Sequence, residues 1–207
     1  MNRKDRFEAL WARMAGGDAA PIWAVLDRAY ADPARSYHNW DHIGAMLAGL
    51  DAARGEAEFV DAHFGEAELA VFFHDAVYEP LAKDNEARSA ELFRGVAGGM
   101  AEDAVRRIEA TILATATHAP VADLSTRLVL DLDLCVLGAG PEDYARYARS
   151  VRAEYAAVPD AAWRAGRPAV LRGLLAREAI YQTVYFHGRL EARARENMAA
   201  EIAALES

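Results

Sequence analysis

Three observations predict an all-α protein. The chain is rich in alanine and poor in β-branched residues, its apolar positions recur at i, i+3, i+4 and i+7, and Gly, Pro and Asp-Pro steps separate the recurrences. At 207 residues the chain fits one domain that buries a full core without disulfides. No internal repeat, low-complexity tract or linker divides it.

The first helix is expected to run to about Met14, where Gly16-Gly17 stops it. A second, capped by Asp18, carries Pro21 in its first turn and breaks at Asp32-Pro33. Ile43, Met46, Leu47 and Leu50 mark the buried face of a third helix, with Asn39 or Asp41 as its cap. Leu69, Phe72, Phe73 and Ala76 mark a central helix, placed at about Glu66 to Val77 and ended by Pro80. Asp84 is the expected cap of the next helix, which Gly98-Gly99 closes. Val105, Ile108 and Ile112 then set a face that runs out near His118 and Pro120. The run Leu128 to Leu137 alternates like a strand over part of its length, whereas its helical context and Gly138 favour a buried helix. Pro141 opens a helix with Tyr144, Tyr147, Val151 and Tyr155 on its packed side. From about Pro168 a long last helix is expected to turn Val170, Leu174, Tyr181 and Val184/Tyr185 inward, with an interruption at Gly188.

The net charge of −9 gives no electrostatic footprint for nucleic acid or an anionic membrane. No apolar run approaches the roughly 18 residues a membrane helix needs. The lone Cys135 forms no internal disulfide, and the N-terminus lacks the apolar stretch of a signal peptide. A reduced, cytoplasmic protein is expected, with self-association into a homo-oligomer left open.

The chemistry is concentrated in a few polar groups set against apolar faces. His74-Asp75 follows Phe72-Phe73, and His42 stands at the start of the third helix beside its buried face. Asp131 and Asp133 interrupt an apolar run of ten residues. Buried imidazoles and carboxylates are costly unless compensated, and a metal ion compensates both. The two aspartates diverge by roughly 200° on a helix, so at most one faces a given centre. His38 and His42 are spaced i, i+4, but Asn39 and Asp41 read as caps and place His38 before the helix. Arg35, Lys83 and Arg88 flank these motifs and could neutralise a phosphate, although each alone also reads as a surface charge. Arg167, Arg177 and Tyr181 either fold over the site or pair with the excess acids. His63 and His187 read as surface or packing histidines.

The strings Tyr37-His38-Asn39-Trp40-Asp41-His42-Ile43, Phe73-His74-Asp75-Ala76-Val77-Tyr78, Asp84-Asn85-Glu86-Ala87-Arg88-Ser89-Ala90 and Asp131-Leu132-Asp133-Leu134, with Gly166-Arg167, Arg177 and Tyr181, cover most of the chain. Their order resembles the HD-domain superfamily of metal-dependent phosphohydrolases, and in particular a bacterial branch described as predicted HD phosphohydrolases. The resemblance implies an all-α, single-domain HD-type helical bundle with a metal site in its core. It implies His42, His74, Asp75 and Asp133 as ligands, Asp133 being preferred to Asp131 because further apolar helix follows it. Two nitrogens and two carboxylates leave two positions of an octahedron open, which suits one or two ions of Mn, Fe, Co, Ni or Mg. The implied catalytic roles are Asp75 holding water, Glu86 orienting it or acting as base, and His118 touching phosphate or a second ion. Arg35, His38, Lys83 and Arg88 are the expected substrate contacts, and the expected substrate is a small phosphate ester or nucleotide. The superfamily also hosts dinuclear-iron oxygenases and non-catalytic nucleotide-binding modules, which are the alternative readings.

Overall fold

Ten α-helices and one short 3-10 turn make up the computed structural model, which describes residues 1–207 and contains no strand. In order they are α1 (Arg3–Met14), α2 (Ala20–Tyr30), α3 (Trp40–Ala53), α4 (Ala62–Phe73), α5 (Asn85–Val96) and α6 (Glu102–Ala114). Then come α7 (Leu124–Leu134), the 3-10 turn (Cys135–Gly138), α8 (Pro141–Glu154), α9 (Asp160–Leu175) and α10 (Val184–Glu206). Several helices begin where a short polar side chain accepts from a free N–H of the first turn. Asn2 accepts from the Asp5 N–H, Asn39 from Asp41, Asp123 from Thr126 and Thr183 from Phe186. Asp18 accepts from the Ala20 N–H just ahead of α2.

Helix α4 is the centre of the bundle. Phe64, Ala67, Leu69, Ala70, Val71, Phe72 and Phe73 are all buried, on every side of the helix. A helix apolar all round is stable only when neighbours enclose it, and α1, α3, α5, α6 and α7 do so. Phe7 and Trp11 of α1 and Phe93 of α5 pack their rings against Phe72 and Phe73. The one acid buried in α4, Glu68, is met by Arg6 at 2.7 Å and Arg54 at 3.3 Å. Outside this layer, α10 packs against the 3-10 turn and α9.

The structure shifts several expected boundaries. Helix α4 starts four residues earlier than expected and ends at Phe73, so His74 is its C-terminal cap and Asp75 lies in the following turn. The Leu128 to Leu137 run is a buried helix that tightens into the 3-10 turn. Helix α6 stops at Ala114, and His118 takes a left-handed backbone conformation with φ of 49°. Near the C-terminus, two helices stand where one long one was expected. Pro168 lies inside α9, the break falls between Leu175 and Val184, and Gly188 interrupts nothing. Tyr181 is buried in that break, whereas Val170 and Val184 face outward at 59% and 79% exposure. Amphipathic spacing here was read through a loop, and the phase of the face was lost across it. No helix is long and apolar enough to cross a membrane.

Candidate metal centre

Three segments bring their polar groups to one point. Asn39 caps α3 and aims His42, in its first turn, at the C-terminal end of α4. The chain leaves α4 through His74 and Asp75, and α7 packs alongside α4 to present Asp133. His42 Nε2 lies 3.3 Å from His74 Nε2 and 3.1 Å from Asp133 Oδ1. His74 Nε2 lies 3.0 Å from Asp75 Oδ2 and 3.7 Å from Asp133 Oδ1, and His42 Nε2 lies 3.7 Å from Asp75 Oδ2. Donors about 2.1 Å from one ion stand about 3 Å apart at right angles and about 4.2 Å apart in trans. The spacings match one shared centre. His42, His74 and Asp75 are buried and can hold a metal ion.

The histidine orientation suits a metal ligand as well as the charged contact with Asp75. His74 Nδ1 donates to the Val71 carbonyl at 2.9 Å, which leaves Nε2 free to face the centre, as expected of an imidazole ligand held by a backbone carbonyl. Two imidazole nitrogens 3.3 Å apart have no mutual reason to converge unless a proton or a cation sits between them.

The charges are strongly coupled. Burial alone would pull the His74 imidazole down, yet the carboxylates of Asp75 and Asp133 outweigh it and hold His74 up at about 9. Burial would conversely raise Asp75 and Asp133. The His74 and His38 charges hold Asp75 well below the usual carboxylate range, and bonds from His118 and His42 do the same for Asp133.

The remaining expected site residues divide into those at the centre and those away from it. His118 Nε2 lies 2.8 Å from Asp133 Oδ2, so Asp133 faces the histidine pair with one oxygen and His118 with the other. His38 sits beside the centre, its ring stacked on Tyr78 at 4.0 Å. Arg35 is close too, but its guanidinium is engaged with backbone. It donates to the Asp75 carbonyl at 2.7 Å and the Ala76 carbonyl at 3.3 Å, and so holds the turn that carries Asp75. Lys83 is exposed, and Arg88 pairs with Glu79 at 2.8 Å on the surface. Glu86 is half-buried on α5 and bonds to none of the four converging residues. Asp131, the rejected alternative, is fully buried and turned away, accepting from the N–H groups of Gln182 and Thr183 at 2.8 Å and from the Thr183 hydroxyl.

A cavity of about 450 Å³ opens on Asp133, His118 and His38, and its far wall comes from α8 and α9 through Tyr147, Tyr155, Arg167 and Leu174. Arg177 also lines it, donating to the carbonyls of Thr117 and His118. A larger cleft of about 800 Å³ lies along α1 and α4 and contains none of the converging residues. Its buried charges, Arg6 and Glu68, satisfy each other. Sequence reasoning missed Glu154, which is buried at the end of α8 beside the centre and bonded to His38 at 2.6 Å. A glutamate in a helix of alternating acids and arginines gives no local sign that it will be buried. No protein-family model, curated protein or solved structure matches this chain.

Proposed function

We propose that the chain is an HD-type, metal-dependent phosphohydrolase, a single-domain bundle whose substrate is a small phosphate ester. The observation that carries the reading is the convergence of His42, His74 and Asp75 on one buried point, with half-buried Asp133 against both histidines and His74 anchored through Nδ1 so that Nε2 faces inward. A divalent ion held by these four residues would supply Lewis acidity, acidifying water and offsetting the charge of the phosphoryl group. The chain's own groups complete the chemistry. Both close contacts of Asp75 with the histidines use Oδ2, which leaves Oδ1 to accept a hydrogen bond from the attacking water. His118 orients Asp133 through Oδ2, and the cavity beside Asp133 admits a substrate of modest size.

The test is elemental analysis of the purified protein beside His74→Ala and Asp133→Ala, coupled to phosphate release from phosphomonoesters, phosphodiesters and nucleotides with added Mn, Mg, Co or Fe. Loss of metal in both variants, with metal-dependent release by the wild type, is the expected result. Metal retained in both variants would overturn the site.

A second reading has one observation in its favour. Asp133 offers its two oxygens to opposite sides, one toward His42 and one toward His118, which is how a carboxylate bridges two ions, and two irons would place the chain among the HD-fold oxygenases. Two irons per chain with no phosphate release on any substrate would favour it.

A further inference from the structure

Two polar groups at the mouth of the proposed centre have no hydrogen-bond partner in the chain. One is the Tyr37 hydroxyl, whose ring packs on His42 at a centroid distance of 4.8 Å. The other is His38 Nε2, since only Nδ1 of that ring is engaged. Both side chains line the 450 Å³ cavity that also opens on Asp133 and His118. Tyr37 lines a second cavity as well, of about 430 Å³, which reaches His42 from its other side. Both atoms open on the cavity rather than being sealed off, since every fully buried side-chain nitrogen and oxygen of the chain has a partner, so each is free to bond a molecule that enters. Two adjacent residues that present unpaired groups to the same cavity have the form of a ligand contact.

Glu154 makes most of the side-chain bonds that hold this segment, and Arg35 adds one to the His38 carbonyl at 3.3 Å. Glu154 Oε1 accepts from the Tyr37 N–H at 2.7 Å and the His38 N–H at 2.9 Å. Its Oε2 accepts from His38 Nδ1 at 2.6 Å and from the Tyr78 hydroxyl at 3.0 Å. The carboxylate has no exposed surface. A carboxylate accepts only, so His38 must direct an N–H at it from Nδ1, and Nε2 is the atom left for the cavity. Four bonds to one buried group fix the Tyr37–His38 peptide, the ring of His38 and the tyrosine stacked on it. That exceeds what closing a loop requires and matches what aiming a side chain requires.

We propose that the Tyr37 hydroxyl and His38 Nε2 contact the anionic oxygens of the substrate, and that Glu154 is the positioning residue that aims them. The proposal rests on the phosphohydrolase reading, and it assigns to Tyr37 and Glu154 roles that the metal-ligand pattern does not supply. Tyr37 and His38 stand in the cavity next to Asp133, where a phosphoryl group reaching the centre would present its oxygens. The arginines near the cavity are engaged elsewhere, Arg35 with the carbonyls of Asp75 and Ala76, Arg167 with Glu201 and Arg177 with the carbonyls of Thr117 and His118, so these two side chains are the free groups that meet the oxygens.

The test is the affinity of the manganese-loaded protein for inorganic phosphate, measured by calorimetry on the wild type, Tyr37→Phe and Glu154→Gln, with manganese affinity and melting temperature recorded for each. Tyr37→Phe removes one unpartnered hydroxyl and leaves the ring in place, so it is expected to fold. In Glu154→Gln the amide oxygen can keep the two backbone N–H groups while its NH₂ faces His38 Nδ1, which reverses the direction of that bond and changes what Nε2 offers. Each variant should bind phosphate about tenfold more weakly, with manganese affinity and melting temperature close to the wild type in Tyr37→Phe. Phosphate bound equally by the wild type and both variants would overturn this assignment and leave the hydrolase reading standing. A loss of manganese affinity in Glu154→Gln equal to its loss of phosphate affinity would overturn it too, by making Glu154 a support of the metal site. A manganese-loaded wild type that binds no phosphate would overturn the hydrolase reading and this proposal with it.

Discussion

His74 carries most of the pH dependence of the centre. In the metal-free protein burial pulls its imidazole down, but the charges of Asp75 and Asp133 hold it up at about 9. At neutral pH it is therefore protonated, and a metal must displace that proton. Manganese or iron affinity should weaken as pH falls from about 9 to about 6, by about tenfold per unit while one proton is exchanged. Competition titrations at pH 6, 7 and 8 would show this, and an affinity independent of pH would place His74 outside the site. The same shift affects stability. A base whose folded value lies above its ordinary 6.5 contributes fully below that value and loses its contribution as pH rises through about 9. The melting temperature of the metal-free protein should thus fall across that window, and excess metal should reverse the trend. Arg35 acts at this scale as well. Arg35→Lys puts a single ammonium where a fork spans two carbonyls, and is expected to cost about 1–3 kcal/mol in denaturant unfolding.

At the scale of elements, the entry into α10 is held by carboxylates from α7, from the connection between α3 and α4, and from α10 itself. Six consecutive N–H groups, from Ile180 to Tyr185, donate to three acids. Glu191 takes Ile180 and Tyr181, Asp131 takes Gln182 and Thr183, and Glu58 takes Val184 and Tyr185. Asp131 is thus the structural member of the Asp131–Asp133 pair. Asp131→Ala should lower stability by about 2–4 kcal/mol, because it strands buried donors, while metal content stays at the wild-type level. Loss of metal in that variant without loss of stability would reverse the assignment of the two aspartates. The 3-10 turn that follows α7 leaves no room at Gly138, where an added Cβ would lie 2.6 Å from the Leu190 Cβ and 2.9 Å from the Leu190 carbonyl oxygen. Gly138→Ala is expected to force α10 outward at a cost of about 1–3 kcal/mol, which thermal unfolding would register.

At the scale of the molecule, His42 comes from the start of α3 and His74 and Asp75 from the end of α4, with Asp133 of α7 against both histidines, so an ion held there would link separate segments of the core. Binding only to the folded chain, a metal at 100 times its dissociation constant should stabilise by about 2.7 kcal/mol. For a protein of this size that is a rise of about 5–10 °C in melting temperature. Thermal unfolding with manganese, and again after chelation, checks it. An unchanged melting temperature would mean that no ion is held at the core.

The helical class, most helix starts and the buried His42, His74 and Asp75 group were legible in the sequence. Their signals are local: a capping side chain, an apolar period, and a His-Asp pair beside a buried face. His42, His74 and Asp75 stand out because polar groups set into apolar faces need compensation wherever the faces meet, whereas the choice of Asp133 over Asp131 rests on the resemblance alone. Tertiary structure alone decided the rest. It turned Asp131 toward α10 and Asp133 toward the histidines, since two residues on one helix point apart and only packing settles which side faces the centre. It also spent Arg35 on backbone carbonyls, left Lys83 and Arg88 at the surface, and buried Glu154 behind His38. The contacts of Arg35 and Glu154 join residues 40 to 117 positions apart, and no periodicity within a single element encodes where such partners will stand.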